Sequence, residues 1–190
     1  MARVECKCGE ILSNHYVPND VQLWVYTCGE WSSISENTAI VGWLFPSPSY
    51  DVWRCPTCER IYVYKLAEWT GKEWVGHSGL VKKYVLEDLQ LTPPEECQTK
   101  CLSVNNTNKT SCSCDENTSI SQSTNNIQLR VYTDVEWDAL LTPKDEDHNI
   151  FDPNTFPLPT YDVWRCPICE KIYVFNWGVE KPIKIYIPED

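Results

Sequence analysis

One long segment of this chain occurs twice, and that repetition limits the possible folds more than any other feature. Residues 50–66 read YDVWRCPTCERIYVYKL and residues 161–177 read YDVWRCPICEKIYVFNW, with twelve of 17 positions identical at an offset of 111. A second match, VQLWVYTCGEW at 21–31 against IQLRVYTDVEW at 127–137, has an offset of 106. Collinear matches of this kind indicate one structural unit present in two copies.

The repeats also predict the domain organisation. We place the first copy at residues 1–90 and the second at 112–190, because matches at the cysteines and at the tails fall inside those limits. Residues 91–111 are rich in Pro, Ser, Thr and Asn, which is typical of a linker. The change of offset predicts a five-residue insertion in the second copy, where the acidic stretch KDEDHNIFD occurs.

Short runs rich in β-branched and aromatic residues predict strands in both copies. Examples are VQLWVYT, RIYVYKL and KKYVLE in the first copy, and IQLRVYT, KIYVFNW and IKIYIPE in the second. One short helix is predicted at DVEWDALL, residues 134–141, with Asp134 as its N-cap. The predicted fold class is mostly β with minor α, built from antiparallel strands.

Eight of the 11 cysteines fall in one pattern that both copies share. Each copy has a C-x-C pair followed far downstream by a C-P-x-C pair. Four thiolates from two tight turns suit a tetrahedral structural Zn²⁺, and reduced cytosolic thiols favour metal over disulfides. Packed, reduced thiols are the alternative. The candidate ligands are Cys6, Cys8, Cys55 and Cys58 in the first copy and Cys112, Cys114, Cys166 and Cys169 in the second.

The other cysteines lie outside this pattern. Cys97 and Cys101 are in the linker and are interpreted as ordinary thiols, with an extra ligand pair or a redox-sensitive bridge as alternatives. Cys28 aligns with Asp134 of the second copy, so it is not a shared ligand. We expect it to fill core space.

The C-P-x-C turns resemble the second knuckle of zinc ribbons and rubredoxins. The layout C-x-C-G-E … Y-D-V-W-R-C-P-x-C-E-x-I-Y-V is similar to small uncharacterised bacterial proteins with a zinc-ribbon-like framework. This resemblance implies two tandem small zinc-ribbon-like units with the eight cysteines as ligands of two structural zinc ions, and it implies no established activity. Rubredoxins usually have Gly after each second cysteine, where this chain has Glu59, Asp115 and Glu170, so iron is the lesser alternative.

The charge of the chain favours some classes of partner over others. With 16 basic and 27 acidic residues the net charge is −11, which disfavours nucleic acid and favours a basic protein partner. No apolar run approaches the ~20 residues of a membrane span, and the N-terminus has no signal-peptide h-region. We therefore expect a cytoplasmic protein with no membrane partner.

Catalysis is not predicted. The sequence has no H-E-x-x-H, P-loop or G-x-S-x-G motif. Four thiolates would also leave a zinc ion no open position at which to activate water.

Two features are candidates for contact with a protein partner. Both copies repeat a Trp-Arg pair, and these residue types dominate binding hot spots. The second copy holds 6 basic and 14 acidic residues, net −8, against 8 and 11, net −3, in the first. The candidate partner-binding residues are Trp53, Arg54, Trp164 and Arg165, together with Asp145, Glu146 and Asp147 of the acidic insertion.

Three functions follow from these observations. The favoured one is a non-catalytic zinc-stabilised protein-binding module, such as an acidic inhibitor, an immunity or antitoxin-type protein, or a phage anti-defence protein. The first alternative is a nucleic-acid-associated zinc ribbon of the transcription or translation machinery. The second alternative is a rubredoxin-like redox protein.

Overall fold

The structure is a computed structural model that describes residues 3–37, 40–41, 44–65, 68–69, 74–75, 79–87, 128–142, 150–166, 169–179 and 182–189. In these residues the chain is mostly β. The strands of the first copy are β1 (Arg3–Glu5), β2 (Ile11–Ser13), β3 (Gln22–Thr27), β4 (Ile40–Val41), β5 (Tyr50–Arg54), β6 (Ile61–Lys65), β7 (Glu68–Trp69), β8 (Trp74–Val75) and β9 (Leu80–Leu86). Those of the second copy are β10 (Gln128–Thr133), β11 (Ile150–Phe151), β12 (Asp162–Arg165), β13 (Ile172–Phe175) and β14 (Lys184–Glu189).

Two short helices follow equivalent strands. They are α1 (Cys28–Ser35) after β3 and α2 (Asp134–Leu141) after β10, and one turn of 3₁₀ helix covers Pro153–Thr155. The predicted helix at 134–141 is confirmed, but its N-cap is Thr133 and not Asp134. In the described part of the chain, neither helix is long and apolar enough to cross a membrane.

Among the described residues, eight antiparallel strands close into one barrel in the order β10-β12-β13-β14-β9-β6-β5-β3. Each copy supplies four neighbouring strands. The closed barrel overturns the prediction of two tandem small zinc-ribbon-like units. The physical reason is edge pairing: the strands of one copy end in two unpaired edges, β3 and β9, and the other copy pairs with both.

The two seams between the copies show that the barrel has an approximate two-fold axis. At the seam of β3 with β10, Val25 lies opposite Val131, and these residues are equivalent in the repeat. At the seam of β9 with β14, Val85 lies opposite its equivalent Ile187. The axis passes between residues that face their own counterparts, so it runs through the barrel wall. A rotation about it therefore exchanges the two ends of the barrel.

The strands pack their alternate residues towards the interior of the barrel, as the period of two requires. The buried residues of this interior core come from both copies. They include Val52, Ile61 and Tyr84 with their counterparts Val163, Ile172 and Tyr186.

A second, aromatic core lies between the helices and the β3–β10 seam. Tyr26 and Trp31 from the first copy pack with Tyr132 and Trp137 from the second. Trp31 contacts Tyr132 with ring centroids 5.9 Å apart, and Tyr26 contacts Trp137 at 5.4 Å. Burial of four large aromatic side chains across one seam is a major contribution to joining the copies.

Candidate metal centre

The turn between β5 and β6 forms the downstream half of the first cysteine cluster. Within it, the Cys55 amide donates to the Arg60 carbonyl at 2.8 Å, and the Glu59 amide donates to the Cys55 carbonyl at 2.9 Å. Glu59 has a φ of 61°, a left-handed conformation that favours glycine. This tight turn orients the side chains of Cys55 and Cys58 to the same side.

The hairpin of β1 and β2 forms the upstream half. The Cys6 amide donates to the Glu10 carbonyl and the Gly9 amide donates to the Cys6 carbonyl, each at 2.8 Å. Gly9 has a φ of 91°, which a side chain would strain. The C-x-C-G motif is therefore a turn in which glycine permits the reversal that follows Cys8.

The four cysteines of the first copy come together although about 50 residues separate the pairs. Cys6 Sγ lies 3.4 Å from Cys58 Sγ, and Cys8 Sγ lies 3.6 Å from Cys55 Sγ. All four sulfur atoms lie within 4.8 Å of one another. A tetrahedron with metal–sulfur bonds of ~2.3 Å has sulfur atoms ~3.8 Å apart, so these four residues could hold a metal ion.

Neighbouring groups are arranged to stabilise negative charge on the sulfurs. The Tyr62 hydroxyl donates to Cys6 Sγ at 3.2 Å, and Arg60 Nη1 donates to Cys58 Sγ at 3.7 Å. Burial alone would raise the pKa of Cys6, but hydrogen bonds from the Cys8 amide and Tyr62 outweigh it and lower the pKa to about 6. Burial instead raises the pKa of Cys55 to about 12. Because cysteine ligands bind as thiolates, metal binding at these sulfurs would release protons.

The described half of the second cysteine cluster repeats the backbone geometry of the turn between β5 and β6. The Cys166 amide donates to the Lys171 carbonyl and the Glu170 amide donates to the Cys166 carbonyl, each at 2.9 Å. Glu170 has a φ of 59°, as Glu59 does, and Cys166 is buried. Cys169 packs against the same cluster. The predicted ligands Cys112 and Cys114 lie outside the described residues.

The remaining predicted residues fall in different places. Cys28 is half-buried and donates to the Gln128 carbonyl oxygen at 3.3 Å, while Cys97 and Cys101 lie outside the described residues. Trp53 is 1 % exposed and packs beside the cysteines with Leu12, so in this structure it acts as core.

The other three residues of the two Trp-Arg pairs do not share the position of Trp53. Arg54 and Arg165 line the barrel interior, and Trp164 is half-buried against the second cluster. The predicted acidic residues Asp145, Glu146 and Asp147 lie outside the described residues, so their role stays a prediction.

Sequence reasoning did not assign Tyr62 or Arg60 to the cysteine site. A usable signal was present, because a tyrosine stands four residues after the second knuckle cysteine in both copies, at Tyr62 and Tyr173. A basic residue stands two positions after that cysteine in both copies, at Arg60 and Lys171. Only the structure brings Tyr62 and Arg60 to the sulfurs.

Comparison with protein families agrees with the duplication. A family described as a domain of unknown function (DUF8617) matches residues 2–88 and again residues 108–190, so the chain belongs to this family and carries it twice. The internal repeat predicted from the sequence is thereby confirmed. No curated protein and no solved structure matches the chain.

Proposed function

We propose that this protein is a non-catalytic binding protein in which structural zinc fastens the β1–β2 hairpin to the barrel. The observation that supports this most is the convergence of the four sulfur atoms of Cys6, Cys8, Cys55 and Cys58 within 4.8 Å. The hairpin has only three residues in each strand and could not hold its position by strand pairing alone. A metal ion bound by both turns would hold the hairpin against the barrel.

The second copy would bind a second zinc ion in the same manner. Its knuckle has the same hydrogen bonds and the same positive φ as the first, and its sequence contains the matching C-x-C pair. Zinc bound by four thiolates would have no open position for water, which agrees with a structural and not a catalytic role.

Metal analysis of the purified chain tests this proposal. We expect a colourless protein with two zinc ions per chain by mass spectrometry of metals. Iron is the lesser alternative, because Glu59 and Glu170 stand where rubredoxins usually have glycine. An iron–thiolate absorption band in protein purified from its host, or a metal content near zero under reducing conditions, would contradict the assignment of zinc.

The binding function that we propose is recognition of a basic protein. It is supported by the net charge of −11 and by a closed four-thiolate arrangement that offers no reactive position. Because the second copy is the more acidic, it would supply most of the attraction. An inhibitor or immunity-type protein is the kind of protein that acts in this way.

Affinity purification from the native host tests the partner. We expect one stoichiometric, basic protein that remains bound at ~0.1 M salt and dissociates as salt rises. A matched variant in which Asp145, Glu146 and Asp147 become Asn, Gln and Asn should bind more weakly with unchanged zinc content. Recovery of no stoichiometric protein from zinc-loaded samples, or salt-dependent binding of nucleic acid instead, would count against the proposal.

A further inference from the structure

The barrel encloses a cavity of about 320 Å³ that the cysteine clusters do not use. Its lining follows the two-fold axis, since nearly every lining residue of one copy has its counterpart from the other copy. Tyr50 and Tyr161 line it while remaining 42 % and 39 % exposed, so the cavity reaches solvent at both ends. A small molecule therefore has a route into the barrel.

The middle of the cavity is apolar. Val25, Val131, Val52 and Val163 are among the side chains that face it, with Ile and Leu beside them. Eight-stranded barrels either fill their interior with side chains or hold one small ligand, and β-branched residues at these positions leave the space open. An engineered apolar cavity of about 150 Å³ already binds benzene, and this one is roughly twice that size.

The first end of the cavity combines the cations of Arg54 and Lys184 with the carboxylates of Glu59 and Glu136. Lys184 Nζ lies 2.6 Å from Glu59 Oε2, and the Tyr186 hydroxyl donates to the same oxygen at 2.9 Å. Arg54 lines the cavity here, and its buried Nε has no hydrogen-bond partner in the described part of the chain. Since Glu136 also lines the cavity at this end, the two cations and two carboxylates balance, and one buried N–H group still needs an acceptor.

The opposite end repeats this arrangement with the counterparts from the other copy. Glu170 is paired with both Lys82 and Arg165, and Tyr84 is hydrogen-bonded to Arg165. The buried Nε of Arg165 also lacks a partner among the described residues. The same unmet donor at both ends is difficult to attribute to chance, because buried donors in folded proteins are almost always satisfied.

We propose that the barrel binds a small linear carboxylate, with its apolar chain in the valine-lined middle and its carboxylate at Arg54 or Arg165. A carboxylate adds a single negative charge beside the guanidinium, whereas a phosphate monoester adds nearly two. It can also accept the Nε–H bond in the planar geometry that guanidinium favours. The volume corresponds to roughly ten non-hydrogen atoms, at ~30 Å³ for each.

Titration calorimetry of the full, metal-loaded chain with octanoate tests the proposal, since octanoate has about this size. We expect one molecule per chain with a dissociation constant on the order of 100 µM or tighter. Octanol should bind at least about tenfold more weakly, because a guanidinium hydrogen bond to a neutral oxygen is weaker than one to a carboxylate, and octylamine should not bind. Absence of octanoate binding, or equal binding of octanol, would overturn the proposal.

Two kinds of variant locate the ligand. Val131→Phe places a ring in the middle of the cavity and should abolish octanoate binding while circular dichroism retains the β signal. The double variant Arg54→Met and Arg165→Met should reduce octanoate affinity about tenfold or more and leave octanol affinity unchanged. Arg3→Met removes one exposed positive charge outside the barrel and is the matched control, with affinity expected to stay as in the parent.

If Val131→Phe lost its fold, the arginine variants would still decide the outcome. Unchanged octanoate affinity in the double arginine variant would place the carboxylate elsewhere and overturn the proposal. The zinc content of each variant is measured in parallel. Failure of octanoate to bind a chain that carries two zinc ions would refute the cavity ligand alone and leave the structural metal standing.

Discussion

The two copies share their framework almost residue for residue, and they differ most clearly where β3 and β10 meet the helices. In one half, Trp24 stacks on Trp137 at 5.0 Å, and its Nε1 donates to Asp134 Oδ1 at 2.8 Å. In the other half, Arg130 takes the position of Trp24 and lies over the Trp31 ring at 4.6 Å. Cys28 takes the position of Asp134.

These differences come as pairs across the seam. Trp24 is in the first copy and its acceptor Asp134 is in the second, while Arg130 is in the second copy and Cys28 is in the first. An indole N–H needs an acceptor when buried, whereas the Arg130 guanidinium is a cation that interacts favourably with the face of the Trp31 ring. The duplicated chain can thus pair Trp24 with Asp134 on one side of the seam only, an asymmetry that two identical subunits could not have. Each prediction below compares equivalent positions of the two copies.

The largest effect is expected from Cys55→Ser compared with Cys166→Ser. Both cysteines are buried in equivalent knuckles, and loss of a structural metal is among the few changes that cost about 4–5 kcal/mol. We expect each variant to lose one zinc ion per chain and a similar amount of stability by thermal unfolding. Cys28→Ser is the control and should retain both ions. If Cys166→Ser keeps its full metal content, the second copy has no complete site.

The next effect concerns Asp134, the buried carboxylate of α2. It accepts hydrogen bonds from the Asn19 amide at 2.9 Å, from Asn19 Nδ2 at 2.8 Å and from Trp24. Asp134→Ala leaves these donors without an acceptor and should cost roughly 2–4 kcal/mol in chemical denaturation. Cys28→Ala, at the equivalent position, should cost about 1 kcal/mol or less because it removes one weak sulfur donor. Equal costs at the two positions would contradict the pairwise divergence.

The sequence predicts local structure well because local structure has local causes. The repeat, most strands, the 134–141 helix and the cysteine knuckles all follow from residue type and spacing. The sequence places the N-cap one residue too late because Thr133 and Asp134 are both good caps, and the hydrogen bond that the Glu136 amide donates to Thr133 Oγ1 decides between them.

The barrel was not predictable in the same way. Edge pairing between β3 and β10 depends on which strands remain unpaired after each copy folds, and residue patterns give no direct signal of that. The polar ends of the cavity were missed for the same reason, since Lys184 and Glu59 are 125 residues apart and belong to different copies. A zinc-ribbon resemblance is also local to the knuckles and carries no information about the strands between them.

The helix caps provide a comparison in which the copies should behave alike. Thr27 and Thr133 each form a capping box with a glutamate three residues later, Glu30 or Glu136. Thr27→Ala and Thr133→Ala should each cost about 1 kcal/mol in chemical denaturation. Thr142→Ala, at the exposed end of α2, serves as the control with a smaller expected cost. A cost confined to one copy would show that the helices do not contribute equally.

The smallest effect concerns acid stability and the glutamates of those capping boxes. Burial alone would raise the pKa of Glu30, but hydrogen bonds from Ser49 and Thr27 outweigh it and hold the pKa below its usual value; Thr160 and Thr133 do the same for Glu136. A carboxyl whose pKa is lower in the folded state stabilises the fold above its unfolded pKa. That contribution is lost as pH falls through the folded pKa.

Glu30→Gln and Glu136→Gln should therefore flatten the fall in thermal stability below about pH 4.5, because glutamine retains the capping box and does not titrate in this range. The measurement is the melting temperature at a series of pH values, with Glu36→Gln as an exposed control. At neutral pH both variants should be slightly less stable than the parent, since a neutral acceptor is weaker than a charged one. An acid limb as steep as that of the parent would mean that the cap glutamates ionise alike in the folded and unfolded chain.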